Sequence, residues 1–267
     1  MVNFQDTDSP NIIELHNISQ SYDGGKTHII QNLSFLVEDK PNIGEFVVIL
    51  GMSGCGKSTL LRYIAGLQQP TTGEVIVRGK PVSGDNRVSM VFQQYSSLPW
   101  MSVLDNVSLG LRFKGLSKKE QDERAMEMLK KVGLEGHEHK YAQYPTLSGG
   151  QLQRIAIARS LLASPDIILM DEPFGALDIK TRLQMQDLLA DIWSEIHPTV
   201  IFVTHDINEA VYLADDIFIM KSAPSQFVEH IKVDLPTQRN RSLKRDPRFT
   251  ELVHHVEDKM ISVSEMG

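Results

Sequence analysis

Short apolar runs rich in β-branched residues alternate with helical patterns over most of the chain. Residues 45–50 (Glu-Phe-Val-Val-Ile-Leu) form a nearly unbroken apolar run that leads straight into glycines, which predicts a buried strand. Residues 59–64 predict the start of a helix, and 74–77 and 87–92 predict further strands. The runs 166–170 and 199–203 each end in polar residues, as parallel strands do when sites sit at their C-terminal ends. Residues 216–220 make another such run. Strands interleaved with helices indicate an α/β class.

The middle of the chain breaks this rhythm. Residues 94–162 hold no strong strand run, and 117–132 are rich in Lys, Glu and Met, with Ala125, Met128, Leu129 and Val132 on one helical face. This stretch reads as a helical lobe inserted into the α/β core. Met185, Leu188, Leu189, Ile192, Trp193 and Ile196 recur at helical spacing and predict a core-facing helix. Residues 223–267 read as a short tail punctuated by Pro224, Pro236 and Pro247. Its cluster of Arg239, Arg241, Lys244, Arg245 and Arg248 reads as a solvated basic face.

Composition narrows the classes. With 267 residues, 41% hydrophobic and 23% charged, the chain can build a sizeable core. A formal net charge of -7 argues against wrapping nucleic acid by phosphate neutralisation, so no nucleic-acid partner is expected. Cys55 is the one cysteine, so no disulfide can form within the chain. Residues 1–10 lack the basic-then-apolar layout of a signal peptide, and no stretch approaches the ~20 apolar residues that span a bilayer. The expected compartment is the cytoplasm, with any membrane role supplied by a partner.

Residues 51–59 read Gly-Met-Ser-Gly-Cys-Gly-Lys-Ser-Thr and fit the phosphate-loop pattern G-x-x-x-x-G-K-[ST]. Glycines let the backbone curl so that successive N–H groups face one anion, and the following helix adds its N-terminal donors. The candidate nucleotide-binding positions are Gly51, Ser53, Gly54, Cys55, Gly56, Lys57, Ser58 and Thr59. Lys57 offers a mobile cation to the outer phosphates, and Ser58 a hydroxyl to Mg²⁺. Cys55 reads as a small spacer. Residues 167–173 (Ile-Ile-Leu-Met-Asp-Glu-Pro) form an apolar strand ending in two carboxylates. Asp171 can hold Mg²⁺, and Glu172 is next in line to polarise an attacking water.

Residues 147–151 read Leu-Ser-Gly-Gly-Gln, and Ser148 and Gln151 have the spacing of a capping box. Ser148, Gly149, Gly150 and Gln151 thus make a glycine-lined helix mouth, a second anion-binding surface in a chain that already has one. The segment resembles the signature of ABC ATPases, over about residues 12–222 of the chain. That resemblance implies a P-loop NTPase core with an antiparallel β subdomain and an inserted α-helical subdomain at about 94–162. It also implies that each signature meets the γ-phosphate of ATP on the opposite subunit. The partner is then a second copy of the chain, or a paralogous cassette, in a head-to-tail dimer. The resemblance further implies that Tyr22 stacks on adenine and that Gln93 reaches Mg²⁺ and the attacking water. Gln94 is adjacent and leaves that register open by one residue. Asp178, in Gly-Ala-Leu-Asp at 175–178, is implied to cross the dimer interface, and His205 to contact the γ-phosphate. The linker 38–44 is a few residues longer than is usual for the family.

Among ABC proteins, DNA-repair members carry a long coiled-coil insertion for which 93–147 leaves no room, and translation members usually fuse two cassettes. A non-transport ABC ATPase is therefore the alternative, and a transporter subunit the main reading. Residues 97–107 and the Val-Asp-Leu-Pro at 233–236 look like the nitrate, sulfonate and taurine importer group. The implied partners are transmembrane permease subunits and, indirectly, a solute-binding protein. Trp100 is either a packed aromatic or a contact to the permease. The solute cannot be read from this chain.

Overall fold

The strands and helices run, in chain order, β1 Asn11–Gln20, β2 Ile30–Glu38, β3 Phe46–Gly51, α1 Lys57–Ile64, β4 Thr72–Val77, β5 Lys80–Pro81, β6 Ser89–Val91, α2 Val103–Arg112, α3 Lys118–Lys131, α4 Gly149–Leu162, β7 Ile167–Asp171, α5 Ile179–Ile196, β8 Thr199–Thr204, α6 Ile207–Leu213, β9 Asp216–Met220, β10 Phe227–Lys232 and α7 Pro247–Ser264. The computed structural model describes residues 10–40, 43–83, 86, 88–94, 96–163, 165–222 and 224–265. Pro41 and Asn42 of the long linker, and Arg87 at the head of the expected strand 87–92, lie outside the described residues. The chain divides into two units: the described residues up to Val88 with those from Thr199 onward, and Ser89 to Pro198.

The first unit is built on β3. Every residue of β3, β8 and β9 is buried, which is why these strands read as continuous apolar runs. β3 pairs parallel with β8 (Val48 opposite Phe202) and with β9 (Leu50 opposite Ile219). β10 closes this edge antiparallel to β9, giving the order β10-β9-β3-β8 within the unit. A second, antiparallel sheet has the order β2-β1-β4-β5. Phe35 of β2 meets Phe218 of β9 edge-on, ring centroids 5.2 Å apart, and lies 5.1 Å from Phe227 of β10, so the two sheets share an aromatic core. Asn17 bulges out of β1 with φ 49°, where its carbonyl and that of His16 approach Gly73 so closely that a Cβ there would stand 2.5 Å from His16 O.

The residues read as a tail are part of this unit. β10 is hydrogen-bonded to β9, and α7 packs on α6 with Phe249, Val253 and Val256 buried. Pro247 occupies the first turn of α7 behind the cap Asp246, the position where a missing N–H does no harm. The solvated basic face is corrected in part. Arg239 is 5% exposed, donates to the Ala214 carbonyl at 2.7 Å and pairs with Asp215 at 3.6 Å. Lys244 stands 4.2 Å over the Tyr212 ring, and Arg248 folds back on its own cap Asp246. Arg241 and Arg245 are exposed, as expected.

In the second unit β6 and β7 pair in parallel, Met90 opposite Leu169. Helices α2, α3 and α4 occupy the stretch expected to be helical, and they pack on one another. Ser117 and Glu120 form a capping box at α3, whose buried face holds Ala125, Met128 and Leu129. Ser102 caps α2 by accepting from Asp105 N–H. The fully buried Asn106 receives Leu98 N–H at 2.8 Å and donates to the Leu98 carbonyl at 3.0 Å, which ties the loop after β6 to α2. On α5 Met185, Leu189, Ile192 and Trp193 are buried while Leu188 and Ile196 are half-buried, and the Trp193 indole donates to the Pro198 carbonyl at 2.9 Å.

Candidate nucleotide-binding and signature surfaces

On the first unit, β3 ends at Gly51 and the loop 52–56 turns into α1 through Gly56, whose φ of 95° favours glycine. Gly51 has no room for a side chain: a Cβ would stand 2.6 Å from the Met220 carbonyl. The buried Lys57 ammonium donates to the Gly51 carbonyl at 2.7 Å and to that of Met52 at 2.9 Å. Its charge is thus held inside the curl of the loop. Ser53 and Gly54 are exposed at the rim, and Ser58 and Thr59 are half-buried in the first turn of α1. Cys55 is fully buried, and burial pushes its thiol above the ordinary value, so the thiolate is suppressed and the spacer role fits.

His205 follows β8 and is exposed. Its neighbours are locked. The buried Thr204 hydroxyl donates to Glu209 Oε2 at 2.8 Å and accepts Asp206 N–H at 3.0 Å. Asp206 caps α6 by accepting Glu209 N–H at 3.1 Å. The Glu209 carboxylate reaches back to the strand end through Thr204. Tyr22 is 66% exposed and its hydroxyl accepts from the Gln68 amide at 3.1 Å. The turn behind it is tied by Asp23, which accepts Lys26 N–H at 3.0 Å and Thr27 N–H at 2.9 Å. Hydrogen bonds from Thr27, first its hydroxyl and then its N–H, hold the Asp23 carboxyl far below the usual carboxylate range. The turn therefore presents an aromatic face to solvent on a fixed backbone.

On the second unit, Asp171 is the buried last residue of β7, and Glu172 follows with φ 42°, a conformation few side chains adopt. That turn aims Glu172 at Gln93, whose amide nitrogen lies 3.5 Å from Glu172 Oε2. Of the two adjacent glutamines it is thus Gln93 that reaches Glu172. Gly175 lies beside both: its N–H donates to the Glu172 carbonyl at 3.1 Å.

The signature forms the mouth of α4. Ser148 Oγ accepts Gln151 N–H at 3.3 Å, and Gln151 Oε1 accepts Ser148 N–H at 2.8 Å, the reciprocal box expected from the spacing. Ser148 is exposed, and its hydroxyl, acting there as an acceptor, keeps its own proton to donate. Leu147 is buried beneath it. Asp178 caps α5 by accepting Thr181 N–H at 3.0 Å, and hydrogen bonds from Thr181, hydroxyl first and N–H second, hold its carboxyl below the ordinary value. A Cβ on Gly150 would stand 2.9 Å from Thr181 Cγ2, so this glycine lets α5 start directly against α4. Gly149 and Gly150 are half-buried in the first turn.

The predicted site residues therefore fall into two sets, one per unit: Tyr22, the loop 51–59 and His205 on the first, and Gln93, Asp171, Glu172, the signature and Asp178 on the second. Sequence reading missed Gln68 behind Tyr22, Thr204 beside His205, Thr181 under Gly150, and His137, whose Nε2 lies 3.1 Å from the Gln151 amide nitrogen. No group of three or more His, Cys, Asp or Glu among the described residues could hold a metal by itself. Ser58 on the first unit and Asp171 on the second are each oxygen donors of the type that a hard cation such as Mg²⁺ takes.

Comparisons with known proteins place the chain in a family. The family model described as ABC transporter matches residues 30–175. The chain is similar to the taurine import ATP-binding protein TauB of Pseudomonas fluorescens, with 40% identity over 94% of this chain and 95% of the relative. It is similar to the nitrate import ATP-binding protein NrtD of a Synechocystis species, with 42% identity over 89% of this chain and 90% of the relative. Among solved structures, an ATP-binding cassette in a dimeric post-hydrolysis state bound to ADP and Pi matches with a TM-score of 0.70 and 36% identity, covering 84% of this chain and 100% of that one.

Proposed function

The chain belongs to the ABC transporter family of ATP-binding proteins, and from that premise we propose that it is the ATP-hydrolysing subunit of an importer for nitrate, a sulfonate such as taurine, or a related small solute. The observation that carries this reading is the capped, exposed helix mouth at Ser148 in a chain whose phosphate loop already holds Lys57. A monomer has no use for two phosphate-gripping surfaces. Two copies arranged head to tail have a use for both, because each copy completes the other's site. The matched cassette with ADP and Pi is a dimer, which supports the arrangement.

In this reading Tyr22 stacks on adenine, and the N–H groups of 51–59 cradle the phosphates. Lys57 leaves its loop carbonyls for the β- and γ-phosphate oxygens, an exchange of neutral acceptors for charged ones. Ser58, Asp171 and Gln93 hold Mg²⁺, which when bound neutralises charge building on the phosphate oxygens. Glu172 takes a proton from the attacking water, Gln93 helps to hold that water, and His205 donates to the γ-phosphate. Ser148 donates its hydroxyl proton, and Gly149, Gly150 and Gln151 their N–H groups or amide, to the phosphate on the second copy. Asp178, capping α5 beside that mouth, faces the second copy. No helix among the described residues is long and apolar enough to cross a membrane, so the pull on the solute path passes to permease subunits at the inner membrane face, with a solute-binding protein upstream. Trp100, 70% exposed, is offered as part of the permease contact.

The test is size-exclusion chromatography with ATP. Glu172→Gln should bind ATP and run as a stable dimer, because the bridging γ-phosphate is no longer removed. A variant that stays monomeric with saturating ATP, while the parent hydrolyses normally, would refute the scheme. ATPase stimulation by taurine or nitrate in reconstituted vesicles then identifies the solute.

A further inference from the structure

We propose that His137 is a positioning residue for the phosphate-facing mouth of α4, holding the Gln151 amide in the one orientation that keeps Ser148 presented. The proposal rests on the reading that Ser148 meets a nucleotide on a second copy, and it deepens that reading.

Polarity alone fixes the network. Ser148 N–H can only donate, so the Gln151 amide atom 2.8 Å from it is the oxygen, and the remaining amide atom is the NH₂ group. That NH₂ group lies 3.1 Å from His137 Nε2 and can only donate, so Nε2 must present a lone pair. The other ring nitrogen, Nδ1, lies 3.3 Å from the Glu135 carbonyl oxygen, which can only accept, so Nδ1 carries the hydrogen. Three groups of fixed polarity thus specify one state of the ring: neutral, with its hydrogen on Nδ1. The opposite tautomer, or a protonated ring, would set two donors 3.1 Å apart.

The brace is itself anchored. Leu134 is fully buried just beyond α3, its carbonyl accepts His137 N–H at 3.1 Å, and the His137 carbonyl accepts Lys140 N–H at 2.9 Å. Gln151 is half-buried, and ordering its side chain only when a phosphate arrives would weaken the contact. His137, 14 residues upstream, orders it beforehand. The capping box by itself satisfies Gln151 Oε1; among the described residues only His137 ties down the other half of the amide.

Two measurements decide the matter. Long-range proton–nitrogen NMR on the nucleotide-free chain should show the His137 ring with its hydrogen on Nδ1, and the opposite tautomer would overturn the proposal whatever the dimer does. In the Glu172→Gln background, sedimentation with ATP should show His137→Ala weakening association about 10-fold, while affinity for a fluorescent ATP analogue stays within about 2-fold. His137→Gln, whose amide oxygen replaces the Nε2 lone pair, should recover most of the loss. The double variant His137→Ala/Gln151→Ala should associate no worse than Gln151→Ala alone, because the two act as one unit. Additive losses, or a His137→Ala protein that associates like its parent, would overturn the brace. Failure of the Glu172→Gln parent to associate would instead sink the proposed function, and the tautomer would still judge the brace.

Discussion

Arg239 shows how much one side chain in a basic run can differ from its neighbours. It is buried, bonded to the Ala214 carbonyl through one nitrogen and near Asp215, while its Nη1 has no hydrogen-bond partner among the described residues. Removing the guanidinium takes the donor from Ala214 O and the nearer charge from the Asp215 carboxylate, which keeps Phe46 N–H, at a cost of about 1–3 kcal/mol. Arg239→Met, which keeps the bulk of the stem, should lower stability by that amount in urea unfolding, whereas Arg241→Met, at an exposed position, should change it by less than about 0.5 kcal/mol. Equal effects would mean that burial of Arg239 contributes nothing. Side-chain chemistry of this kind was partly legible. Lys57, Ser148 and Glu172 announced themselves because phosphate chemistry demands those residue types at fixed spacing. Arg239 and His137 did not, because each finds its partner through the fold, 25 and 14 residues away, with no spacing rule to mark it.

At the scale of elements, the junction of α4 and α5 is the tightest point among the signature residues. Adding a methyl at Gly150 would set it 2.9 Å from Thr181 Cγ2, which overpacks the start of α5. Ala is a better helix former than Gly by about 1 kcal/mol, so the clash must exceed that to show. Gly150→Ala should therefore lower the unfolding midpoint, and Gly150→Ala/Thr181→Ser, which deletes Cγ2 but keeps the hydroxyl, should restore it. If both variants unfold like the parent, α5 does not need Gly150. The elements most legible in the sequence were those buried on every side: β3, β7, β8 and β9 read as apolar runs because both faces are covered. β1 and β2 were harder, since β1 changes register between Leu15 and Ile18 and its alternation slips with it. α7 is masked in the sequence by Pro247, which reads as a break, although a proline after a capping Asp246 is a start.

For the molecule as a whole, stability should carry a pH signature set at the base of β3 and β9. Burial, offset by the Lys40 ammonium and reinforced by a hydrogen bond with Asp216, pushes the Glu45 carboxyl up to about 7 from its ordinary 4.5. Asp216 moves the other way: burial opposes it, but hydrogen bonds from His230 and Glu45 hold it below its ordinary value. The native state thus keeps a proton on Glu45 that the unfolded chain releases between pH 4.5 and about 7. Its contribution is complete below pH 4.5, shrinks as pH rises through that window and is gone above about 7. The Asp216 contribution has the opposite sense, being lost only as pH falls below its ordinary 3.8. Urea midpoints taken from pH 5 to pH 7.5 should fall in the parent and fall less in Glu45→Gln, which mimics the protonated carboxyl; parallel curves would contradict the assignment. Lys57 and Ser148 belong to different halves of the proposed site, contributed by different copies. A Lys57→Ala chain keeps a working signature, and a Ser148→Arg chain keeps a working phosphate loop. Neither should close on itself. A tagged Ser148→Arg chain should nonetheless retain an untagged Lys57→Ala chain in the presence of ATP, because that pair holds one complete site. Adding Glu172→Gln to the Ser148→Arg chain, the copy whose own loop holds that nucleotide, should lengthen the retention, since hydrolysis is what releases it. Retention of neither mixture, with each chain folded and the Ser148→Arg loop still binding nucleotide, would mean that the two phosphate-gripping surfaces never share a ligand.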